Sequence, residues 1–311
     1  MYNEAEKIKY VEQFSSKDSK NEFVRVFKAS EPFEDRLEKD LAEFHRDEII
    51  EFANTLELTN PLTAKKYLSR IRQYQRDINP NLTDNERPVT KDDIDIVSAI
   101  RRHFFKSFSD VIAEVQKVRP LNAGYPEPVI LTFAWLGFEA KDIGGIKKED
   151  VNLISGHIKV KDNPFSKEIE LDDDMLEILR SFDGITTAYR DTKGSFMVHA
   201  ENSPYFLKRM LRADSKKQTA TPKMFTGRDV TKFINDLQKT AAANQGQIYL
   251  TYTDVQRSGQ FHKVYQVEQT GIDVCDYKRA NILCSITNTS QTHFYDTLAQ
   301  YKAYKQAFDL T

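Results

Sequence analysis

The residues with the clearest capacity for chemistry are the cations between positions 60 and 78, a segment whose only acidic residue is Asp77. At 100° per residue, Leu68, Ile71 and Ile78 share one side of a helix, which is predicted to face the core. Cationic side chains can hold phosphates, and interleaved Gln and Ser side chains can reach base edges. The pattern therefore indicates a DNA-binding face, although a merely solvated face has the same composition. This face comprises Lys65, Ser69, Arg72 and Arg76, with Lys66, Arg70 and Gln73 one step farther from the core.

Two further groups of cations are weaker candidates for contact with nucleic acid. One lies in a predicted helix from Pro204 to Leu211 and the residues after it, and the other precedes the middle of the chain. Either group can equally be an ordinary solvated surface. The first contains Lys208, Arg209, Arg212, Lys216 and Lys217, followed by Lys223 and Arg228, and the second contains Arg101, Arg102 and Lys106.

No other motif predicts an enzyme, a metal site or a cofactor. The chain has no P-loop, G-x-G-x-x-G, H-E-x-x-H or CxxC pattern, and its six histidines show no metal-ligand spacing. Its cysteines, Cys275 and Cys284, are too few for a disulfide framework, so a reducing cytoplasm is expected. We therefore predict no metal and no cofactor.

Length and charge set the class of protein. A chain of 311 residues is long enough for two domains, and 40% hydrophobic with 30% charged residues is typical of a globular protein. The net charge of −2 argues against a nucleic-acid-coated protein, but basic residues can still be concentrated on one face. Neither a signal peptide nor a membrane-spanning segment is predicted.

The predicted elements divide at about residue 118. Before it, all signals are helical: Phe33–Phe44, Asp47–Leu56, a helix capped by Asn60 that runs to Ile78, and one capped by Thr90. After it, helices are predicted at Pro126–Leu136, Asp172–Arg180, Pro204–Leu211, Gly227–Ala242, Thr253–Thr270 and His293–Phe308. Short strands are predicted at Ser155–Val160 and Glu168–Leu171, which form a hairpin pair around Lys161–Lys167, and at Phe196–His199. The fold class is thus mainly α with a small β-sheet.

Three stretches carry a resemblance to a known family. ILTFAWLGFEAKDIGGIKKED (130–150), the region EDRLEKDLAEFHRDEIIEFANTL with TAKKYLSRIRQYQRDI, and GRDVTKFINDL with LTYTDVQRSGQFHKVYQVEQTG resemble tyrosine recombinases of the phage-integrase family. The resemblance runs from about residue 21 to the end. It implies an all-helical, SAM-like core-binding domain at 1–118 and a tyrosine-recombinase-like catalytic-type domain at 119–311, whose basic patches could together enclose a DNA duplex.

The resemblance also implies catalytic positions, and most of them hold the wrong residue. Glu139 stands where the family has a phosphate-binding arginine, and Thr253 and Gln256 stand for the histidine and arginine of a His-x-x-Arg motif. A carboxylate repels the phosphate and cannot stabilise charge that grows on it in the transition state. A register shift of one residue would instead place Arg257 at the arginine position and Asp254 at the histidine position. Arg257 is therefore counted among the predicted DNA-binding residues.

The remaining implied positions are equally incomplete. Tyr295 best matches the nucleophile, with Tyr301 and Tyr304 as rivals. No His or Trp lies in Leu283–Ser290, where the family has one, and His293 falls at a variable position. Lys161 or Lys167 could be the hairpin general acid, although lysines in turns are usually solvated.

The combined pattern predicts a chain that holds DNA without cutting it. It resembles recombinase-fold repressors of SPβ-like Bacillus phages, which implies a non-enzymatic transcriptional repressor that maintains lysogeny, with duplex DNA and a protein regulator or a second copy as partners. Two alternatives stay open. One is an active integrase with an atypical site, and the other is a protein-interaction module with solvated basic faces.

Overall fold

The structure is a computed structural model that describes residues 2–121, 124–159, 168–191, 195–212, 222–243 and 248–311. The chain forms two compact units. The first comprises Met1–Arg102 with Tyr295–Thr311, and the second comprises His103–Phe294. These units divide the chain at other positions than the predicted boundary after residue 118. That boundary remains a prediction about functional domains.

In the described residues of the first unit, all regular secondary structure is helical. Helix α4 begins and ends where the sequence predicts, because the side chain of Asn60 accepts hydrogen bonds from the backbone amides of Leu62 (2.9 Å) and Thr63 (3.4 Å). The helices are α1 (Glu4–Glu12), α2 (Lys17–Leu37), α3 (Arg46–Thr55), α4 (Pro61–Ile78), α5 (Pro80–Asn85), α6 (Ile96–His103) and, at the C-terminus, α14 (Phe294–Ala307).

Aromatic side chains fill the core of this unit. The ring of Tyr74 on α4 packs edge-on against Tyr10 of α1 (5.0 Å between centroids) and Phe27 of α2 (4.8 Å). Tyr301 and Tyr304 of α14 are also fully buried. Each buried aromatic ring removes a large apolar area from water. This packing buries one side of α4 and leaves the other side exposed.

Two predictions for this unit are wrong. The helix expected at Phe33–Phe44 is instead the end of α2, which stops at Glu38 in a left-handed conformation (φ 55°), followed by a 3₁₀ turn capped by Asp40. Ile78 is 52% exposed rather than buried. Tyr74, which hydrophobicity alone did not select, takes the interior place instead.

The second unit combines helices with two three-stranded antiparallel sheets. The first sheet has the order β1-β2-β3 (Val151–Asn152, His157–Lys159, Glu168–Glu170), and the second has β4-β5-β6 (Thr187–Asp191, Ser195–Ala200, Met210–Arg212). The register pairs Ile158 with Ile169 and Val198 with Arg212. The helices are α7 (Phe108–Gln116), α8 (Glu127–Trp135), α9 (Ala140–Ile143), α10 (Asp173–Gly184), α11 (Gly227–Ala243), α12 (Tyr252–Gln269) and α13 (Ala280–Ile286).

Helix α8 is the centre of this unit, and every one of its residues is buried. Helix α12 crosses it closely at Gly259, where an added Cβ would lie 1.9 Å from the carbonyl oxygen of Trp135. A second close approach brings Gly144, just after α9, against the backbone of Phe225. Glycine is required at both contacts because any side chain would overlap main-chain atoms.

The expected fold class is confirmed, with one correction in the second sheet. Residues 204–209 form a non-helical segment and 210–212 form strand β6, where a helix was predicted. Strand β4, which pairs with the predicted strand β5, was not predicted. Such short strands are stabilised by their neighbours, so their own sequence carries little signal. Within the described residues, no helix combines the length and apolar character needed to cross a membrane.

Candidate functional site

Four of the positions implied by the family resemblance meet in one cleft of the second unit. Glu139, Thr253, Gln256 and Arg257 all line it, and its volume is about 430 Å³. The remaining wall residues come from helices α9, α11 and α12 and from the segment after α13. They are Ala140, Thr231, Ile234, Asn235, Thr251, Tyr252, Gln260, Thr287 and Asn288.

One face of α12 supplies the polar wall of this cleft. Thr253, Gln256, Arg257 and Gln260 follow one another at intervals of three, one and three residues, which places them on one side of a helix. The helix starts at Thr251, whose hydroxyl accepts a hydrogen bond from the amide of Asp254 at 3.0 Å. The same helical period that buries Gly259 against α8 therefore exposes this polar face to the cleft.

The carboxylate of Glu139 lies in the cleft and is held by two neighbouring side chains. Its carboxylate accepts a hydrogen bond from the side-chain amide of Asn288 (2.6 Å) and forms an ion pair with Lys141 (2.6 Å). The hydrogen bond and charge of Lys141, together with the amide of Asn288, hold the pKa of Glu139 below its usual value. An ionised carboxylate thus lies at the position where the family resemblance implies a phosphate-binding arginine.

Arg257 is the cation of the α12 wall. One guanidinium nitrogen donates to the carbonyl of Thr287 at 3.5 Å, and the group lies over the ring of Phe261 at 5.6 Å. It forms no ion pair with a carboxylate in the part of the chain that the structure describes. Burial without such a counter-ion lowers the pKa of Arg257.

The side chain of Gln256 is hydrogen-bonded to the backbone. Its side-chain amide donates to the carbonyls of Phe138 (2.8 Å) and Gly137 (3.2 Å), and the hydroxyl of Tyr252 also donates to Phe138. A glutamine cannot replace the charged fork of an arginine, and here it fastens α12 to the end of α8. Gln256 therefore has a structural role at the cleft, because it links α12 to the residues that follow α8.

Two residues that line the cleft were not predicted from the sequence. Asn288 has a positive φ of 49°, a conformation that asparagine tolerates better than most residues, and this places its amide on Glu139. It lies in the stretch Leu283–Ser290, where the family resemblance called for a His or Trp. Gln260 is 6% exposed, and only the three-dimensional crossing of α8 and α12 shows that it lines a cleft.

The candidate nucleophile belongs to the first unit. Tyr295 is 64% exposed, in the first turn of α14, whereas Tyr301 and Tyr304 are buried packing residues. Because of this burial, neither Tyr301 nor Tyr304 can serve as the reactive phenol in this conformation. Lys161 and Lys167 lie outside the described residues.

The predicted basic face of α4 is only partly free. Lys65, Lys66, Ser69 and Arg76 are exposed, and Lys65, Lys66 and Ser69 have no partner within the described part of the chain. Arg76 is 68% exposed and lies 3.9 Å from Asp77. These four residues form the exposed basic face of α4.

The other three predicted members of that face point to neighbouring elements. Arg70 forms an ion pair with Glu22 of α2 at 2.7 Å and donates to the side chain of Gln73 at 2.9 Å. Arg72 donates to the carbonyl of Thr83 at 2.9 Å. The expectation that Arg70 lies farther from the core is therefore wrong, because Arg70 packs against α2, while Gln73 accepts a hydrogen bond from Arg70.

The second predicted basic patch is not a continuous charged surface. Lys208 is 5% exposed and donates to the carbonyl of Asp183 at 2.7 Å, and burial lowers its pKa. Arg209 stacks over Phe225 at 5.6 Å. The assignment of Lys208 to an exposed DNA-binding face is thus wrong. The backbone of Arg212 ends strand β6, and Lys216 and Lys217 lie outside the described residues.

The two arginines of the third predicted patch are exposed, but each also contacts a neighbouring element of the first unit. Arg101 donates to the carbonyl of Ala307, at the C-terminal end of α14, at 2.6 Å. Arg102 donates to Glu57 at 2.5 Å. Cations at the end of a helix stabilise its carbonyl groups, so Arg101 helps to hold α14 in the first unit.

Comparisons with known proteins gave a family match for the N-terminal segment and structural matches of low similarity. Residues 1–76 match the family model for the N-terminal core-binding domain of MrpR. A search of curated proteins gave no match. Among solved structures, XerA recombinase matches with 15% identity and a TM-score of 0.39, over 97% of this chain and 96% of that chain.

A transposon integrase is also similar in two structures. Tn1549 integrase in complex with transposon right-end DNA has 10% identity and a TM-score of 0.37, over 97% of this chain and 98% of that chain. Its complex with circular-intermediate DNA has 9% identity and a TM-score of 0.36, over 94% of this chain and 93% of that chain.

Residues 1–76 are similar to the core-binding domain of MrpR, and over this segment the expected core-binding domain is confirmed.

Proposed function

We propose that this protein is a sequence-specific, duplex-DNA-binding transcriptional repressor on a tyrosine-recombinase-like scaffold, and that it maintains phage lysogeny. The observation that carries the proposal is the exposed basic face of α4: Lys65, Lys66, Ser69 and Arg76. All four lie inside the segment that matches a core-binding domain. The repressor role follows from DNA binding combined with a degenerate catalytic set.

The geometry of α4 fits a DNA groove. At a rise of about 1.5 Å per residue, Lys65 to Arg76 spans about 16 Å of helix axis, which is about five base pairs of duplex. An α-helix fits the major groove, where cations bind phosphates and polar side chains reach base edges. Ser69 lies between the cations, so it is the candidate for contact with a base.

The charge distribution supports the same conclusion. A protein with net charge −2 has no general attraction to a polyanion, so its affinity has to come from local cations. The side chains of Lys65 and Lys66 are available because nothing in the described residues neutralises them. Arg70 and Arg72, in contrast, are held by Glu22 and the Thr83 carbonyl.

The state of the cleft supports binding without cleavage. By the family resemblance, Glu139 stands for one phosphate-binding arginine and Gln256 for the other, and both side chains are bonded to neighbouring groups. Loss of one donor to a developing oxyanion typically slows a reaction by about 10²–10³-fold. With both arginine positions changed, we expect no detectable strand cleavage. Repression then acts sterically, because bound protein denies a promoter to RNA polymerase.

The salt dependence of DNA binding tests the α4 interface. A duplex selected from a random library would be titrated with the full chain and with the triple variant Lys65→Gln, Lys66→Gln, Arg76→Gln. Each lost phosphate contact reduces the magnitude of the negative slope of log K against log salt by about 0.9, so we expect that magnitude to fall by up to about 2.7. The control carries the same charge changes on exposed residues of α1 and α2: Lys9→Gln, Lys17→Gln and Lys28→Gln.

The outcomes separate the candidate functions. Unchanged affinity and slope in the α4 variant would exclude this face as the DNA interface. Failure of the wild type to select any duplex would favour the alternative of a protein-interaction module. A promoter that overlaps the selected sequence should be repressed by the wild type in a reporter assay, and not by the α4 variant.

An active recombinase is the second candidate function. Two observations favour it: Arg257 lies in the cleft, and the phenol-bearing side chain of Tyr295 is exposed. A nicked suicide substrate traps a covalent tyrosine–DNA adduct if cleavage occurs. We expect no adduct. An adduct that disappears in Tyr295→Phe would establish the enzyme and refute a repressor without catalysis.

A further inference from the structure

Two polar groups on the α12 wall of the cleft are left without matching partners. The guanidinium of Arg257 has no carboxylate in the described residues, and its hydrogen bond to Thr287 is long, at 3.5 Å. Gln260 is only 6% exposed, yet its side-chain amide forms no hydrogen bond to any part of the chain that the structure describes. The unpaired nitrogen and oxygen atoms of both side chains still reach the open cleft, because none of them is among the fully buried polar atoms that lack a partner in the described residues. The pair therefore indicates a ligand that completes both sets of interactions.

Shape and position define the ligand's size and chemistry. Arg257 and Gln260 are three residues apart on one helix, so their side chains are neighbours at about 5–6 Å. The cleft volume of about 430 Å³ lies within the range of about 300–1,000 Å³ that small organic ligands occupy. Asn235 and Thr253 add exposed hydrogen-bonding groups to the wall. The space exceeds what one oxyanion needs and suits an anionic group attached to a polar body.

Glu139 argues for a small ligand rather than the backbone of DNA. Its carboxylate is fixed in the wall by Lys141 and Asn288, both at 2.6 Å. A DNA strand carries a negative charge at every phosphate, so a fixed anion beside it is unfavourable. A molecule with a single anionic group can approach Arg257 while turning neutral polar atoms toward Glu139.

We propose that the cleft is a binding site for a small organic anion, with a phosphate or carboxylate group on Arg257 and a neighbouring polar group on Gln260. This site is separate from the α4 interface and does not depend on DNA binding by the protein. Arg257 is thereby reassigned from a DNA contact to a ligand contact.

Calorimetric titration of the full chain tests the site. The probes are adenosine monophosphate, inorganic phosphate and acetate, each at matched ionic strength. We expect saturable binding of at least one probe at one site per chain. Charge-assisted hydrogen bonds support an affinity loss of about tenfold or more in Arg257→Gln, with a smaller loss in Gln260→Leu.

Two further variants protect the test against a folding artefact. Glu139→Gln removes the fixed negative charge, so it should bind the anion more tightly than the wild type, and a folding defect cannot produce such a gain. Lys159→Gln is the matched control, because this exposed lysine on β2 lies outside the cleft. Its affinity for the probe should equal that of the wild type.

Three results would overturn the proposal: no probe binds, Arg257→Gln binds as well as the wild type, or Glu139→Gln binds no more tightly. If Arg257→Gln instead loses affinity for duplex DNA while no small anion binds, the arginine is a phosphodiester contact. The triple variant of α4 keeps the two proposals apart, because it should lose DNA binding and retain anion binding.

Discussion

Substitution of Gly259 by alanine tests how the fold holds the cleft in place. An added Cβ would lie 1.9 Å from the carbonyl oxygen of Trp135, whereas real Cβ atoms keep at least 3.0 Å, so α12 has to move by about 1 Å. Alanine favours a helix by about 1 kcal/mol over glycine, while overpacking of a core costs about 1–3 kcal/mol or more. Because the obstacle is backbone rather than a flexible side chain, the upper end applies. We expect a net loss of about 2 kcal/mol in the free energy of unfolding.

Urea denaturation followed by tryptophan fluorescence measures this loss at the contact itself, since Trp135 is the only tryptophan of the chain. The displacement of α12 also moves Arg257 and Gln260, so anion binding in the cleft should weaken in the same variant. Gly184→Ala is the control, because an added Cβ at this last residue of α10 meets nothing within 4 Å. That change should be neutral or stabilising by up to about 1 kcal/mol.

Unfolding of Gly259→Ala at the same urea concentration as the wild type, with unchanged fluorescence, would refute this reasoning. It would mean that α8 and α12 adjust without cost, and the tight crossing would not be what positions the cleft.

Three other substitutions test separate parts of the structure. Lys7→Met leaves the fully buried Glu34 without its cation and should cost about 3–5 kcal/mol in the free energy of unfolding at pH 7. Burial already raises the pKa of Glu34, so this penalty grows as the pH rises through that raised pKa and shrinks below it. Urea midpoints that show the same loss at pH 4 and at pH 7 would contradict this. Asn60→Ala removes the cap of α4 and should cost about 1 kcal/mol, measured by thermal denaturation, whereas Asn60→Asp keeps the acceptor and should cost less. Asn288→Ala should lower the free energy of unfolding by about 1 kcal/mol or more, because alanine disfavours the positive φ at this position. Asn288→Gly also lacks the amide but tolerates this φ, so it should be more stable than the alanine variant. Equal stabilities of the two variants would show that the amide bound to Glu139 matters more than the backbone conformation.

The sequence by itself determined the elements whose signals are local. The limits of α4 follow from the Asn60 cap, Pro61 and the hydrophobic period, and they agree with the structure. The antiparallel pairing of β2 with β3 and the start of α12 were also predictable, because alternation and capping residues act within a few positions.

Tertiary structure decided which polar residues are available. The helical period places Arg70 and Gln73 away from the hydrophobic stripe of α4, but α2 packs there and engages Arg70 through Glu22. Lys208 looks like a surface cation in the sequence, and it is buried on the carbonyl of Asp183. Charge patterns cannot show which neighbour reaches a side chain first, because those neighbours come from distant positions.

The cleft also depends on contacts far apart in the chain. The sequence placed Glu139 in one motif and Gln256 with Arg257 in another, and only the crossing of α8 and α12 at Gly259 brings the two motifs into one cleft. Asn288 joins through a contact to a residue 149 positions away, and Gln260 through burial beside Arg257. Local sequence thus fixed which residue types are present, while long-range packing decided which of them bind one another and which remain free for a ligand.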